Sequence, residues 1–346
     1  MPQVVLETIQ RELLDYQGRG LSVLEMSHRS VEFADIATRA EADLRALLRV
    51  PADYSILFMQ GGASSQFALS VQNLDSKGQV AFANTGYWSG KAIAVAEQLT
   101  RVRTVTNTIS EPVVRIPDSR EWEETDGSSY LHITDNETID GVVFNQVPET
   151  NLPLVCDMSS SILSQPVDVS RYGLIYAGAQ KNIGPAGITL LIIRNDLLEL
   201  SAVRSLPAIF SYAAMAKAGS LLNTPPTFAW YAAGLVFQWL LQQGGLESIA
   251  ERNRQQAKRI YDVIDNHDIY VNRVHVDNRS LMNIPFVLTD NALTQKLLAG
   301  AVIRKLVGLK GHKSMGGLRA SLYNAVTDDA VDALVDYLTN FAREHA

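Results

Sequence analysis

One cysteine, Cys156, occurs in 346 residues, which excludes an intrachain disulfide and any metal site built from several thiolates. Positive charge is also in short supply: 30 lysines and arginines stand against 37 aspartates and glutamates, a net charge of −7. A broad nucleic-acid or anionic-membrane surface needs clustered cations, so both partner classes are disfavoured, and any anionic ligand must meet a local cationic pocket. No run of about 18 uncharged apolar residues offers a membrane span, and the opening segment lacks the basic stretch and apolar run of a signal peptide. These absences predict a soluble, cytoplasmic protein.

What is present suits a large buried core, with 47% of residues hydrophobic and 19% charged. The length exceeds the usual ceiling for one core, so two packed units sharing a cleft are expected. Leu6, Ile9, Leu13 and Tyr16 recur at helical spacing, and Phe33, Ile36, Ala40, Leu44 and Leu47 do so before Pro51. Short apolar runs follow, bounded by polar or helical stretches: Tyr54 to Met59, Val80 to Phe82, Gly141 to Phe144, Leu154 to Cys156, Leu174 to Tyr176 and Ile188 to Ile193. Strands apolar on both faces and alternating with helices predict an α/β unit with a largely parallel, doubly covered sheet. Thr224-Pro-Pro226 opens a helix carrying Phe228, Trp230, Tyr231, Phe237 and Trp239, which reads as core or subunit interface, and Gly244-Gly245 closes it. A long charged helix and the segments Ile269 to Val276, Asn283 to Leu288 and Leu318 to Tyr323 then predict a smaller α+β unit. The expected division is residues 1–244 and 245–346.

Four constellations point to chemistry. Gln60-Gly-Gly-Ala-Ser-Ser-Gln66 lies between a strand and a helix, where free backbone N–H groups at the positive end of a helix dipole suit a phosphate. The plain alternative is a tight turn, since neither a P-loop nor G-x-G-x-x-G is present. Asp157 ends a buried strand, where α/β sheets bind ligands, and an ionised carboxylate there can keep a pyridinium nitrogen protonated. Its alternative is capping of a following helix. Lys181 sits in the small-residue loop Tyr176-Ala-Gly-Ala-Gln-Lys-Asn-Ile-Gly-Pro-Ala-Gly187, where desolvation favours a neutral, nucleophilic amine able to form a Schiff base. A solvated surface lysine is the commoner fate. Trp88, in Asn84-Thr-Gly-Tyr-Trp-Ser-Gly90, can stack on a flat ring or simply fill core. Thr138, in Asn136-Glu-Thr-Ile-Asp-Gly141, can reach a phenolate oxygen or belong to an ordinary turn. The order of glycine loop, aromatic, strand-end aspartate and lysine is what pyridoxal phosphate requires on an open sheet. Scattered cations, His28 and Arg29, His312 and Lys313, and Arg319, would suit a substrate with two anionic groups, arginine's planar fork matching a carboxylate.

With these segments together the chain resembles the class V, fold-type I pyridoxal-phosphate-dependent aminotransferases, and within them the branch that forms phosphoserine. The resemblance runs from about Val5 to the C-terminus. It rests on Met26-Ser-His-Arg29, the Gln60 to Gln66, Asn136 to Gly141 and Tyr176 to Gly187 segments, Leu222-Asn-Thr-Pro-Pro-Thr227 and Gly316-Gly-Leu-Arg-Ala-Ser321. It implies a mostly parallel seven-stranded large domain and a smaller C-terminal domain. It also implies that Lys181 bonds the cofactor aldehyde, Asp157 meets the pyridine nitrogen, Trp88 stacks on the ring and Thr138 contacts its hydroxyl side. Ala63, Ser64 and Gln180 would hold the cofactor phosphate, joined by Asn223 and Thr224 from the neighbouring subunit of an obligate homodimer. Arg319 would clamp the substrate α-carboxylate, with His28, Arg29, His312 and Lys313 near the phosphate or distal carboxylate. Two departures stand out: the family's opening Asn-Phe-Ser-Ala-Gly-Pro-like segment does not occur in the sequence, and Lys313 stands where arginine is usual. The implied reaction joins glutamate to 3-phosphohydroxypyruvate, with a phosphorylated four-carbon keto acid of vitamin B6 synthesis as a second substrate. Rival readings are another class V enzyme, such as an alanine–glyoxylate aminotransferase, or a non-catalytic phosphate-binding protein, which leaves Lys181 without a role.

Overall fold

The structure is a computed structural model describing residues 1–109 and 113–345. Its strands are β1 (Tyr54–Gln60), β2 (Gln79–Asn84), β3 (Arg101–Asn107), β4 (Leu131–Thr134), β5 (Asn136–Glu137), β6 (Val142–Val143), β7 (Leu154–Asp157), β8 (Leu174–Gly178), β9 (Ile188–Arg194), β10 (Tyr270–Val271), β11 (Asn283–Leu288) and β12 (Leu318–Ser321). The helices are α1 (Gln3–Glu12), α2 (Val31–Leu48), α3 (Ser64–Leu74), α4 (Tyr87–Ala96), α5 (Asn195–Ala202), α6 (Tyr212–Lys217), α7 (Thr227–Gln242), α8 (Gly245–Asp265), α9 (Leu293–Ile303) and α10 (Asp328–His345).

Seven strands form one sheet in the order β1-β9-β8-β7-β4-β2-β3. Every neighbouring pair is parallel except the two made by β9, which runs against β1 and β8. Period-two alternation splits each central strand between two cores, as the pleat requires. Phe58, Ile133, Cys156, Ile175 and Ile192 face the layer containing α2 and α7. Leu57, Phe82, Val155, Tyr176 and Leu191 face the layer of α3, α4 and α6. A third core gathers residues between Ala257 and Ala342 around the small antiparallel sheet β10-β11-β12.

The aromatic residues of α7 divide by burial: Trp230, Tyr231 and Phe237 are buried, and Phe228 and Trp239 are half-buried at its edge. Trp230 stacks on Phe58 with ring centroids 4.1 Å apart and meets Phe33 edge-on at 5.7 Å. One residue thus ties α7, β1 and α2 together. Trp230→Ala should lower the unfolding free energy by about 3–5 kcal/mol, readable by urea denaturation.

Several local expectations need correction. The first helix ends at Glu12, before Tyr16, and the backbone becomes extended at Asp15 (φ −151); Tyr16 is buried from a separate single turn. Gly141 to Phe144 does not join the main sheet. Val142–Val143 pairs antiparallel with Asn136–Glu137 in a separate two-stranded ribbon. Gly141, at φ +71, turns that ribbon hard against β11, where an added Cβ would overlap the Pro285 ring and come within 2.9 Å of the Asn283 carbonyl oxygen. Two sheet strands carry no long apolar run. β3 is an edge strand and stays polar on its open side, and β4 is four residues long and includes buried His132.

Candidate active site

Five connections leave the sheet at the same end. The carboxyl ends of β1, β2, β4, β7 and β8 deliver Gly62 to Ser64, Trp88, Asn136 to Thr138, Asp157 and Lys181 to one edge, the usual ligand-binding edge of a parallel sheet. Register aligns Thr134, Asp157 and Tyr176 side by side across β4, β7 and β8. A cavity of about 290 Å³ lies there, walled by Ala63, Ser64, Trp88, Thr138, Asp157, Gln180, Lys181, His312 and Arg319 together with Asn136, Ser159 and Tyr323. A larger cleft of about 660 Å³ near Arg115, Trp122 and Phe144 contains none of the candidate catalytic or binding residues.

Each wall is explained by its local chain. Gly61, at φ +93, turns the chain out of β1, and the N–H groups opening α3 point outward at the positive end of its dipole. Gly178 ends β8, and a Cβ there would lie 2.8 Å from Gln180 Oε1 and 3.3 Å from Ala63 Cβ, so glycine lets the two loops meet. Asp157 is 7% exposed and accepts the Ser159 N–H at 2.9 Å. No helix follows it; Ser159 to Leu163 form turns, and Ser159 Oγ accepts the Gly178 N–H at 3.0 Å. Capping of a helix is therefore not the role of Asp157. Trp88 donates its indole N–H to Thr138 Oγ1 at 2.8 Å, which leaves the Thr138 hydroxyl proton available to the cavity. Arg319 donates Nη1–H to the Thr138 carbonyl at 2.9 Å, while its buried Nε finds no partner among the described residues.

Electrostatics set the protonation states. Burial pushes the Asp157 carboxyl above its ordinary range, against the hydrogen bonds from Ser159 and the charge of Lys181. Burial pulls the Lys181 amine below its ordinary value; Arg319 adds to this, and Asp157 opposes it. A carboxylate that gains from a cation and an amine nudged toward neutrality thus share one small cavity.

The residues fit pyridoxal phosphate. The donor set comprises a depressed lysine, a strand-end carboxylate, an indole beside a hydroxyl, a glycine-lined helix start and an arginine with an unpartnered buried N–H, all around a volume suited to one small aromatic ring.

Not every predicted residue lies on this wall. Asn223 and Thr224 are exposed and do not line the cavity; Gln60 Nε2, just before the Gly62 to Ser64 loop, bonds Asn223 Oδ1 at 2.8 Å and the Thr224 carbonyl at 2.9 Å. Lys313 is exposed beside His312, whose ring packs 5.1 Å from that of Tyr87. His28 is half-buried and Arg29 exposed in the turn before α2, and neither lines the cavity. Conversely, sequence reasoning passed over Asn136, Ser159 and Tyr323. Asn136 and Ser159 are strand-end residues beside Thr138 and Asp157, and that position was the available signal; Tyr323 had none.

The fold and this site define a class, and comparison with known proteins agrees: residues 1–334 match the aminotransferase class-V family. The chain belongs to that family and has its fold-type I architecture. A phosphoserine aminotransferase of Acinetobacter baylyi is 49% identical over 347 residues, covering 100% of this chain and 96% of the relative. The solved phosphoserine aminotransferase from Bacillus circulans subsp. alkalophilus superposes with a TM-score of 0.96 at 41% identity, covering 100% of this chain and 96% of that one. The pyridoxal-phosphate-bound phosphoserine aminotransferase of Trichomonas vaginalis gives 0.93 at 38% identity, over 98% and 96% of the two chains.

Proposed function

We propose that this chain is a phosphoserine aminotransferase, carrying the amino group reversibly between L-glutamate and 3-phosphohydroxypyruvate with pyridoxal 5′-phosphate as cofactor. The products are 2-oxoglutarate and O-phospho-L-serine. One observation carries the reading: Lys181 and Asp157 wall the same cavity at the carboxyl ends of parallel strands, beside the amino end of α3. Bound cofactor supplies an electron sink that weakens the bonds at the substrate α-carbon.

The chain's own groups do the rest. Lys181 Nζ would hold the cofactor and, when free of it, would take the proton from the substrate α-carbon as general base and deliver it as general acid to the cofactor carbon that the amine had held. Asp157 holds the ring nitrogen in its protonated form, and that positive charge in turn restores the carboxylate that burial disfavours. Trp88 covers one ring face and Thr138 bonds the ring hydroxyl. Ala63, Ser64 and Gln180 take the cofactor phosphate at the α3 dipole, as a helix start suits. Arg319 clamps the α-carboxylate with its bidentate fork, and His312 faces the distal anionic group.

We infer a homodimer in which a second copy brings Asn223 and Thr224 to the cofactor phosphate; His28, Arg29 and Lys313 complete the substrate's anion pocket. We also take residues 1–244 as the cofactor unit and 245–346 as the smaller unit bearing Arg319. The chain would serve serine synthesis in the cytoplasm, with a related phosphorylated keto acid of vitamin B6 synthesis as a further substrate. Among the described residues no helix is long and apolar enough to cross a membrane.

A glutamate-coupled assay tests the substrate. Phosphohydroxypyruvate should far outpace pyruvate and glyoxylate, and equal rates on all three would remove the phosphate pocket. Arg319→Leu should raise KM for both glutamate and the keto acid by about tenfold to a hundredfold, the worth of a charged hydrogen-bonded contact to a carboxylate. An unchanged KM would place the carboxylate elsewhere.

A further inference from the structure

The segment Asn136 to Gly141 does more than present Thr138. Helix α4 begins at Tyr87, and its cap position is Gly86, which has no side chain to satisfy the first N–H groups. Those groups are taken instead by two carboxyls about fifty residues further along the chain. Asp140 Oδ2 accepts from Tyr87 N–H at 2.9 Å, Glu137 Oε2 from Trp88 N–H at 2.8 Å, and Glu137 Oε1 from Ser89 N–H at 2.7 Å. A Cβ at Gly86 would lie 2.6 Å from both carboxyls, so the close approach needs glycine there.

Capping an ordinary helix takes one serine or aspartate at its start. Here the cap is two acids on one turn, with Glu137 completely buried. Burial raises both carboxyls and Asp140 raises Glu137 further; the α4 N–H groups and the Ser89 hydroxyl pull Glu137 down, and the Tyr87 N–H, Asp140's own N–H and His312 pull Asp140 down. Such an arrangement costs stability. Its benefit lies in what the turn touches: the same turn accepts the Trp88 indole N–H through Thr138 Oγ1 and Arg319 through the Thr138 carbonyl. Backbone and side chain of Trp88 are therefore fixed by adjacent residues of one turn.

We propose that the Glu137 and Asp140 pair is a positioning device for the reaction: it fixes the Trp88 backbone so that the indole keeps a single orientation over the cofactor ring. Neither acid touches the reacting atoms. The inference rests on Trp88 covering that ring, and a double-mutant cycle separates the two claims.

The cycle uses the cofactor-free chain titrated with pyridoxal phosphate, and compares E137Q, W88A and the double variant. The amide introduced by E137Q keeps the shape of the side chain but can accept only one of the two N–H groups. E137Q should weaken cofactor binding about tenfold, the scale of a lost helix cap. In the W88A background the same change should add little, because the residue through which it acts is gone. With 5-fluorotryptophan at the four tryptophans, the fluorine resonance missing in W88A should move or split in E137Q while the other three stay fixed. A merely structural cap would lower the melting temperature and leave that resonance and the cofactor affinity unchanged, which would overturn the proposal. Additive losses in the double variant would overturn it too. Full cofactor affinity in W88A alone would instead defeat the stacking role of Trp88. Should E137Q fail to fold, D140A, which removes the acceptor of the Tyr87 N–H, takes its place in the cycle with the same outcomes.

Discussion

Lys181→Ala should give a folded chain that transaminates about 10,000-fold more slowly, at the upper end of what a positioned proton-transfer group contributes. Purified wild-type protein should be yellow, and borohydride should leave the cofactor fixed to Lys181; in the variant the cofactor should wash out on dialysis. Fully retained turnover would show that another group moves the proton. The native amine adds a pH signature. Burial and Arg319 lower its pKa below the ordinary lysine value of 10.5, so the neutral form grows in at lower pH than for a solvated lysine. Covalent capture of pyridoxal phosphate by the cofactor-free chain should therefore accelerate as pH rises, with its midpoint below 10.5. A midpoint at or above the value of a free lysine would contradict the desolvated environment.

Asp157→Asn should cost about 100- to 1,000-fold in kcat, the usual loss when one preorganised electrostatic partner is removed. The amide fills the same space and its oxygen can still accept the Ser159 N–H, seen at 2.9 Å. What it cannot do is hold a proton on the ring nitrogen by charge. The loss should therefore appear in kcat more than in KM, and the absorption of the bound cofactor should shift as its nitrogen loses the proton. A carboxylate raised by burial titrates above its unfolded value, so the charge of Asp157 disfavours the cofactor-free fold increasingly as pH climbs past that value. Bound cofactor should offset this, and the stabilisation it confers should be larger at pH 8 than at pH 5. Equal stabilisation at the two pH values would separate Asp157 from the ring nitrogen.

Much of this architecture was legible in the residues because the physics is local. Helix α2 declares itself through Phe33, Ile36, Ala40, Leu44 and Leu47, and these are buried residues of the helix. The central strands are apolar on both faces because helices cover both, so runs such as Ile188–Arg194 stand out. Lys181 was conspicuous because it lies in a loop of small residues between two apolar strands, after a glycine loop, an aromatic and a strand-end aspartate in the order a pyridoxal phosphate site needs. Less legible was whatever depends on distant partners. β3 carries Arg101 and Arg103 because one edge is open, and its pattern resembles a loop. Val142 and Val143 have strand-like side chains, yet the close approach of Pro285 diverts them into a ribbon. Glu137 looked like a turn residue; its burial follows from α4 arriving without a cap of its own. Tyr323 reaches the cavity from the far end of the chain through its hydroxyl contact with Asn283 at 3.2 Å.

The single reversed strand has a further consequence. Because β9 runs back beside β8, Lys181 rides on a hairpin connection of residues 179–187, with no crossover helix. Ala179 N–H bonds the Ile188 carbonyl at 3.1 Å, Gly187's carbonyl takes the Gly61 N–H at 2.9 Å, and Asn182 Oδ1 takes the Asn324 N–H at 3.1 Å. Insertions are tolerated where a connection can bulge into solvent, and this one is pinned at both ends and in the middle. Length variation among functional homologues should accordingly fall in the excursion between β3 and β4 and spare the short hairpin that carries the amine.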